Sequence, residues 1–259
     1  MSEPANSLGV GFLARQFAYM RNLWLIKSSV TLVAMGLIRG VSQFAFVMVM
    51  TRLMLPPDYG IYSNFLYITS ILSPLFFLKS DVPVARFYAT HPDGLAEYVG
   101  TIVLLCSGLT LVSTVLLILS RTVIFQLTGI PGDWQLMILI TCWTYGLFLV
   151  VLAILQVQMR VWAMSFSRIV PTISCETAAI ATVFLIRGGW HTALMTYGAV
   201  SAVWGVAFMI WLRFNGYIRF RFNLPDLKDF LSVSIPLIPM SIGFMSVQIS
   251  AQFVLTHYY

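Results

Sequence analysis

Apolar residues occupy consecutive positions over long stretches of this chain, broken at intervals by short clusters of charge, proline and glycine. Seven stretches are long enough to cross a bilayer, near residues 25–50, 59–78, 98–119, 135–158, 169–186, 192–212 and 230–255. A bilayer's hydrocarbon core is roughly 30 Å thick, which about 20 apolar residues span as a helix. A barrel strand would alternate apolar and polar positions over about ten residues, and these runs do not alternate. The pattern predicts an all-α, polytopic transmembrane bundle of about seven spans. It divides the chain into a cytoplasmic segment 1–24, a six-helix bundle 25–212, a cytoplasmic loop 213–229 and a seventh helix within 230–259.

Composition strengthens the membrane reading. Of 259 residues, 59% are hydrophobic and 9% charged, with a mean hydropathy of +0.88; a soluble domain carries about 25% charged residues. The net charge of +6 suggests nucleic acid only until the basic residues are placed. They border the apolar runs and form no basic domain, so no nucleic-acid partner is expected. With the N-terminus inside, Arg15, Arg21, Lys27, Lys79, Arg86, Arg160, Arg168, Arg213, Arg219, Arg221 and Lys228 face the cytoplasm, against Arg52, Arg121 and Arg187 outside. That bias predicts a cytoplasmic N-terminus. Trp24, Trp134, Trp162, Trp190 and Trp211 lie near predicted helix ends, where amphipathic rings meet the headgroups. The first 22 residues lack an apolar core followed by a small-residue cleavage site, so the first span is expected to serve as the insertion signal. Cys106, Cys142 and Cys175 all fall in apolar runs and read as packing residues.

Candidate chemistry is sparse. Arg39 lies 12 residues after Lys27 and 12 before Thr51, near mid-membrane. An arginine there costs about 2.5 to 3.5 kcal/mol on insertion scales, so it should face the bundle interior or a wet cavity. Ser42 and Gln43 share its helix face, and Gly36 and Gly40 are expected to allow close helix approach. Arg39 is either a cationic site for an anionic substrate or a structural arginine satisfied by carbonyls or an acid. Glu176 is the acid well inside a predicted span, at a similar depth. It is either Arg39's ion-pair partner or a protonatable carboxyl suited to coupling transport to protons. Pro74, Pro171, Pro236 and Pro239 interrupt predicted helices, as in transporter pathways but also in membrane helices generally. Gln248 and Gln252 could bond sugar hydroxyls or another helix. His91, His191 and His257 are scattered, no acid pair lies in a span, and the last helix lacks the internal lysine of a retinal protein. We therefore expect no enzyme activity, no cofactor and no metal.

The stretch TRLMLPPDYGIYSNF, Thr51 to Phe65, resembles the opening of polysaccharide (O-antigen type) flippases of the multidrug, oligosaccharidyl-lipid and polysaccharide exporter superfamily. In that family an arginine, a Leu/Pro/acid-Tyr-Gly turn and a second helix follow one another. SDVPVARFYA (Ser80 to Ala89), QMRVWAMSFSRIVPTI (Gln158 to Ile173) and FLSVSIPLIPMSIGFMSVQISAQFVL (Phe230 to Leu255) resemble three further family segments, in order. The similarity runs from about Trp24 onward. It implies a bacterial inner-membrane, multi-pass transporter that carries a polyprenyl-diphosphate-linked oligosaccharide across the membrane by alternating access, for surface polysaccharide such as lipopolysaccharide. Arg39 and Arg52 match positions where relatives often carry basic residues; with Gln43 they are the implied substrate contacts, and Glu176 the candidate for ion coupling. Partners would be the lipid-linked oligosaccharide, membrane lipids and polysaccharide polymerases or transferases.

Two departures stand out. Relatives have about twelve to fourteen helices in two bundles, whereas the seventh helix here would only begin a second bundle, so either the chain is truncated, which is the favoured expectation, or the half assembles with another copy. Where relatives often carry an Asp-Arg pair, this chain has Ala251-Gln252. A non-transporting scaffold in a polysaccharide assembly complex is the alternative, and a small-molecule exporter of the same superfamily a weaker third. Within the first motif, Pro56-Pro57 should stop the first helix and Asp58 should cap the second. Arg52 either anchors a helix end or meets a departing diphosphate.

Overall fold

The computed structural model describes the backbone of residues 7–120, 122 and 135–258, and side chains over 30–73, 76–91, 93–120, 122, 135–240 and 243. Among the described residues the fold is entirely helical: α1 (Ser7–Leu53), α2 (Pro56–Phe76), α3 (Asp81–Thr90), α4 (Leu95–Leu119), α5 (Gln135–Val157), α6 (Val161–Ile186), α7 (Gly189–Phe214) and α8 (Leu224–Tyr258). A single 3-10 turn, Pro92–Gly94, joins α3 to α4.

Among the described residues, five stretches are long and apolar enough to cross a membrane: Val30–Leu53 within α1, and the whole of α4, α5, α6 and α7. The chain is thus compatible with a multi-pass membrane protein, while the seven-span expectation is met in part. Helix α2 forms where a span was expected, but Asn64, Ser63, Thr69, Ser70 and Ser73 dilute its apolar run. Helix α8 covers the expected seventh span, yet its side chains beyond Met240, Gln248 and Gln252 among them, lie outside the described residues apart from Gly243.

Helix ends depart from the sequence reading. Helix α1 is continuous from Ser7, so it also runs through most of the segment 1–24 read as cytoplasmic; its 47 residues would extend about 70 Å. Pro56 and Pro57 stand inside the first turn of α2, where a missing N–H goes unused. Asp58 lies in that first turn too, favourable to the helix dipole, but is not the capping residue. Helix α3 occupies a stretch read as a connection: Pro83 and Val84 are buried and the helix packs on α5. Phe87 stacks on Tyr98 of α4, with ring centroids 3.8 Å apart.

Helix α5 is the hub, touching α2, α3, α4, α6 and α7, and most of its apolar window is buried. The α5–α7 seam runs over small residues on α7. A Cβ on Gly198 would lie 2.6 Å from Met137 Sδ, and one on Gly205 2.7 Å from Thr144 Oγ1. Between them Thr144 Oγ1 donates to the Ser201 carbonyl at 3.0 Å. Small residues permit this approach in membrane bundles. Two apolar cores result. One joins Phe77, Val84, Val99, Ile154, Leu212 and Phe230 at one end of the bundle; the other joins Phe46, Met50, Tyr62, Phe65, Ala179 and Leu194 towards the opposite end. At the first end the segment after α7 lies along α4: Arg219 N–H donates to the Ala96 carbonyl at 2.8 Å, and Thr101 Oγ1 to the Arg221 carbonyl at 3.0 Å.

Candidate functional site

Helix α1 packs mainly on α6 and makes few contacts with α2. The α1–α6 seam carries the two intramembrane charges singled out above. Glu176 is buried, 7% exposed, and its Oε2 accepts a hydrogen bond from Ser42 Oγ at 3.0 Å. Arg39, one turn before Ser42, lies within electrostatic reach of that carboxylate. The ion pair found among the described residues is elsewhere, between Arg221 and Glu97 at 3.5 Å. The expected Arg39–Glu176 pair is thus a through-space attraction, with Ser42 as the contact partner.

Arg39 is exposed to a cleft of about 510 Å³ bounded by α1, α5, α6 and α7. A second cation, Arg168 of α6, lines the same cleft. Sequence reading put Arg168 at a helix border because it began the fifth span at residue 169. The helix starts at Val161 instead, so Arg168 stands seven residues in, about 10 Å along the axis. The signal available in the sequence was the mostly apolar character of VWAMSF before it, interrupted only by Ser165.

The remaining walls are aromatic and hydroxylated. Tyr145 and Phe148 of α5 face Phe208 and Trp204 of α7 in a connected run of rings, with centroid separations of 5.5 Å for Tyr145–Phe148 and 5.9 Å for Phe148–Phe208 and Trp204–Phe208. Thr141, Thr144, Thr172 and Ser201 add hydroxyls. The Trp204 ring is fixed by its Nε1, which donates to Ser174 Oγ at 2.7 Å. Pro171 lines the cleft from within α6, and that helix continues through it. Two guanidiniums beside ring faces and hydroxyls can hold an anion joined to a polyhydroxylated body.

Other sequence candidates fall elsewhere. Gln43 is exposed and does not line this cleft. Arg52 sits at the far end of α1, about 20 Å from Arg39 along the axis, beside a second and wider cleft. Glu176 lies behind the cleft wall, between helices. Gly36 and Gly40 do not mediate close packing, since a Cβ on either would meet nothing within 4 Å. The cysteines are free and buried, as packing residues should be.

Comparison of the chain with family models, with curated proteins and with solved structures returned no match.

Proposed function

We propose that the protein is an inner-membrane flippase, or the leading portion of one, for a polyprenyl-diphosphate-linked oligosaccharide used in surface polysaccharide synthesis. The observation that carries this reading is the cleft shared by Arg39 and Arg168. It offers two positive charges for a diphosphate, and ring faces and hydroxyls for the attached sugars. The four ordered motifs favour the same substrate class. The cations also support a cytoplasmic N-terminus. Lys79, Arg86, Arg160, Arg213, Arg219, Arg221 and Lys228 gather towards one end of the bundle, and Arg52 and Arg187 stand at the other. In this reading the chain binds and passes its substrate without covalent chemistry, and Glu176 is the group available for ion coupling.

Complementation tests it. The full-length gene should restore surface polysaccharide to a strain lacking its flippase, and Arg39→Gln/Arg168→Gln, expressed at the same level, should not. No restoration by the parent, or full export by the double variant, overturns the reading.

A second reading is favoured by α1. Val33, Leu37, Val41 and Phe44 form an apolar face on that helix, each 63–68% exposed. Such a face suits a partner protein as well as lipid, so the chain could scaffold a polymerase or transferase. Crosslinking from Val41 distinguishes the two: capture of a stoichiometric protein partner, with no lipid-linked sugar recovered from the cleft, supports the scaffold.

A further inference from the structure

Arg52 closes α1 and Arg187 caps α6, and the two converge on a cleft of about 1120 Å³. It lies at the end of the bundle opposite most of the described basic residues. Neither guanidinium has a hydrogen bond or ion pair among the described residues. The acid in the cleft, Asp58, forms no ion pair with either of them among the described residues. Its Oδ2 lies 2.9 Å from the point a Cβ on Gly189 would occupy, so the carboxylate is pressed against the start of α7. Arg187 also holds φ +53°, in the left-handed region that favours glycine, although Gly188 and Gly189 follow directly. A side chain sits where the backbone would be easier without one.

The cleft's remaining walls are apolar. Leu53, Leu55, Phe184 and Leu185 line it, and each stays at least 37% exposed. Free phosphate has no use for such a collar. A lipid phosphate does, because it brings an anion and a hydrocarbon chain together. Both arginines end membrane-crossing helices, which sets them at headgroup depth. Paired guanidiniums match phosphate oxygens in geometry and charge.

We infer that this rim cleft binds the phosphate of a membrane lipid, held by Arg52 and Arg187, with Leu53, Leu55, Phe184 and Leu185 lying along its chain. The lipid is either an anionic phospholipid or a polyprenyl diphosphate. The phospholipid form of the inference needs only a bilayer, and the polyprenyl diphosphate form rests on the transport reading.

Native mass spectrometry of the detergent-purified full chain tests it, with phosphatidylglycerol and undecaprenyl diphosphate offered separately at equal concentration. Arg52→Gln/Arg187→Gln should retain about tenfold less of at least one of them, while Arg213→Gln behaves as the parent. Selective loss of phosphatidylglycerol identifies a phospholipid site, selective loss of undecaprenyl diphosphate a substrate exit site, and loss of both a general lipid-phosphate site. Arg187→Gly guards against misfolding: glycine suits that backbone, so the variant should fold at least as well as the parent yet retain less lipid. Parental retention of both lipids by either variant overturns the inference.

Discussion

Ser42 on α1 donates a hydrogen bond to the buried carboxylate of Glu176 on α6, across 134 residues of sequence. It is a polar contact between a helix that is otherwise largely exposed and the rest of the bundle. Ser42→Ala removes the donor and leaves the acceptor buried, which costs about 1 kcal/mol in membrane bundles. Glu176→Gln keeps an oxygen that accepts from Ser42 and should cost less, whereas Glu176→Leu should match Ser42→Ala. Unfolding free energies of the three variants in one detergent check this order. Equal stability of Ser42→Ala and parent would show that the bond contributes nothing to docking α1.

Gly100 on α4 tells a packing story that Gly40 does not. A Cβ on Gly100 would sit 1.8 Å from the Arg219 carbonyl oxygen, backbone that cannot rotate away. Gly100→Ala should therefore push the 217–223 segment off α4, breaking the Arg219-to-Ala96 bond, at a cost of about 1–3 kcal/mol. Around Gly40 there is nothing within 4 Å, so Gly40→Ala should be neutral or slightly stabilising. Melting temperatures of the two variants provide the comparison.

The same pair shows what the sequence could and could not convey. Consecutive apolar positions disclose spans, because a bilayer imposes one length on every crossing helix; the five stretches long and apolar enough to cross a membrane among the described residues all begin within about eight residues of where the pattern placed them. Which glycines meet a neighbour depends on how helices rotate against one another, and periodicity holds no record of that. Gly36 and Gly40 have the spacing of a contact face, yet a Cβ there meets nothing within 4 Å, while the close approaches fall at Gly198 and Gly205. Arg39 was legible because a mid-span charge is costly wherever it lies. Arg168 was not, because its meaning depends on a helix start seven residues upstream. Helix α3 leaves no such mark in the sequence, because its ten residues fall short of any span and its burial against α5 is a tertiary effect.

Trp204 separates substrate contact from structure. Its ring stands in the cleft wall, and its Nε1 donates to Ser174 Oγ at 2.7 Å. Trp204→Phe keeps a ring face and loses the bond; Trp204→Ala loses both. Loss of one ring contact is worth on the order of 1 kcal/mol, about fivefold in affinity. On the transport reading, Trp204→Ala should lower polysaccharide export several-fold at equal expression, and Trp204→Phe should retain most of it. Equal export by both variants and parent would remove Trp204 from the substrate path.

Asp81, at the start of α3 and outside the membrane-crossing helices, makes stability depend on pH. Burial pushes its carboxyl above the ordinary value of 3.8, with Lys79 and the backbone N–H groups of Asp81 and Val82 opposing that shift only in part. Its Oδ1 is buried without a hydrogen-bond partner. The folded state thus holds this proton more tightly than the unfolded chain does. The stability the protonated group contributes is full below the unfolded value near 3.8 and is lost as pH rises through the higher folded value. At neutral pH the ionised carboxylate is a net burden, so Asp81→Asn should be more stable than the parent there, with the advantage shrinking towards pH 4. Melting curves of both proteins from pH 4 to 8 would show the two lines converging at the acid end. A constant gap across that range would mean the asparagine stabilises by packing rather than by removing a buried charge.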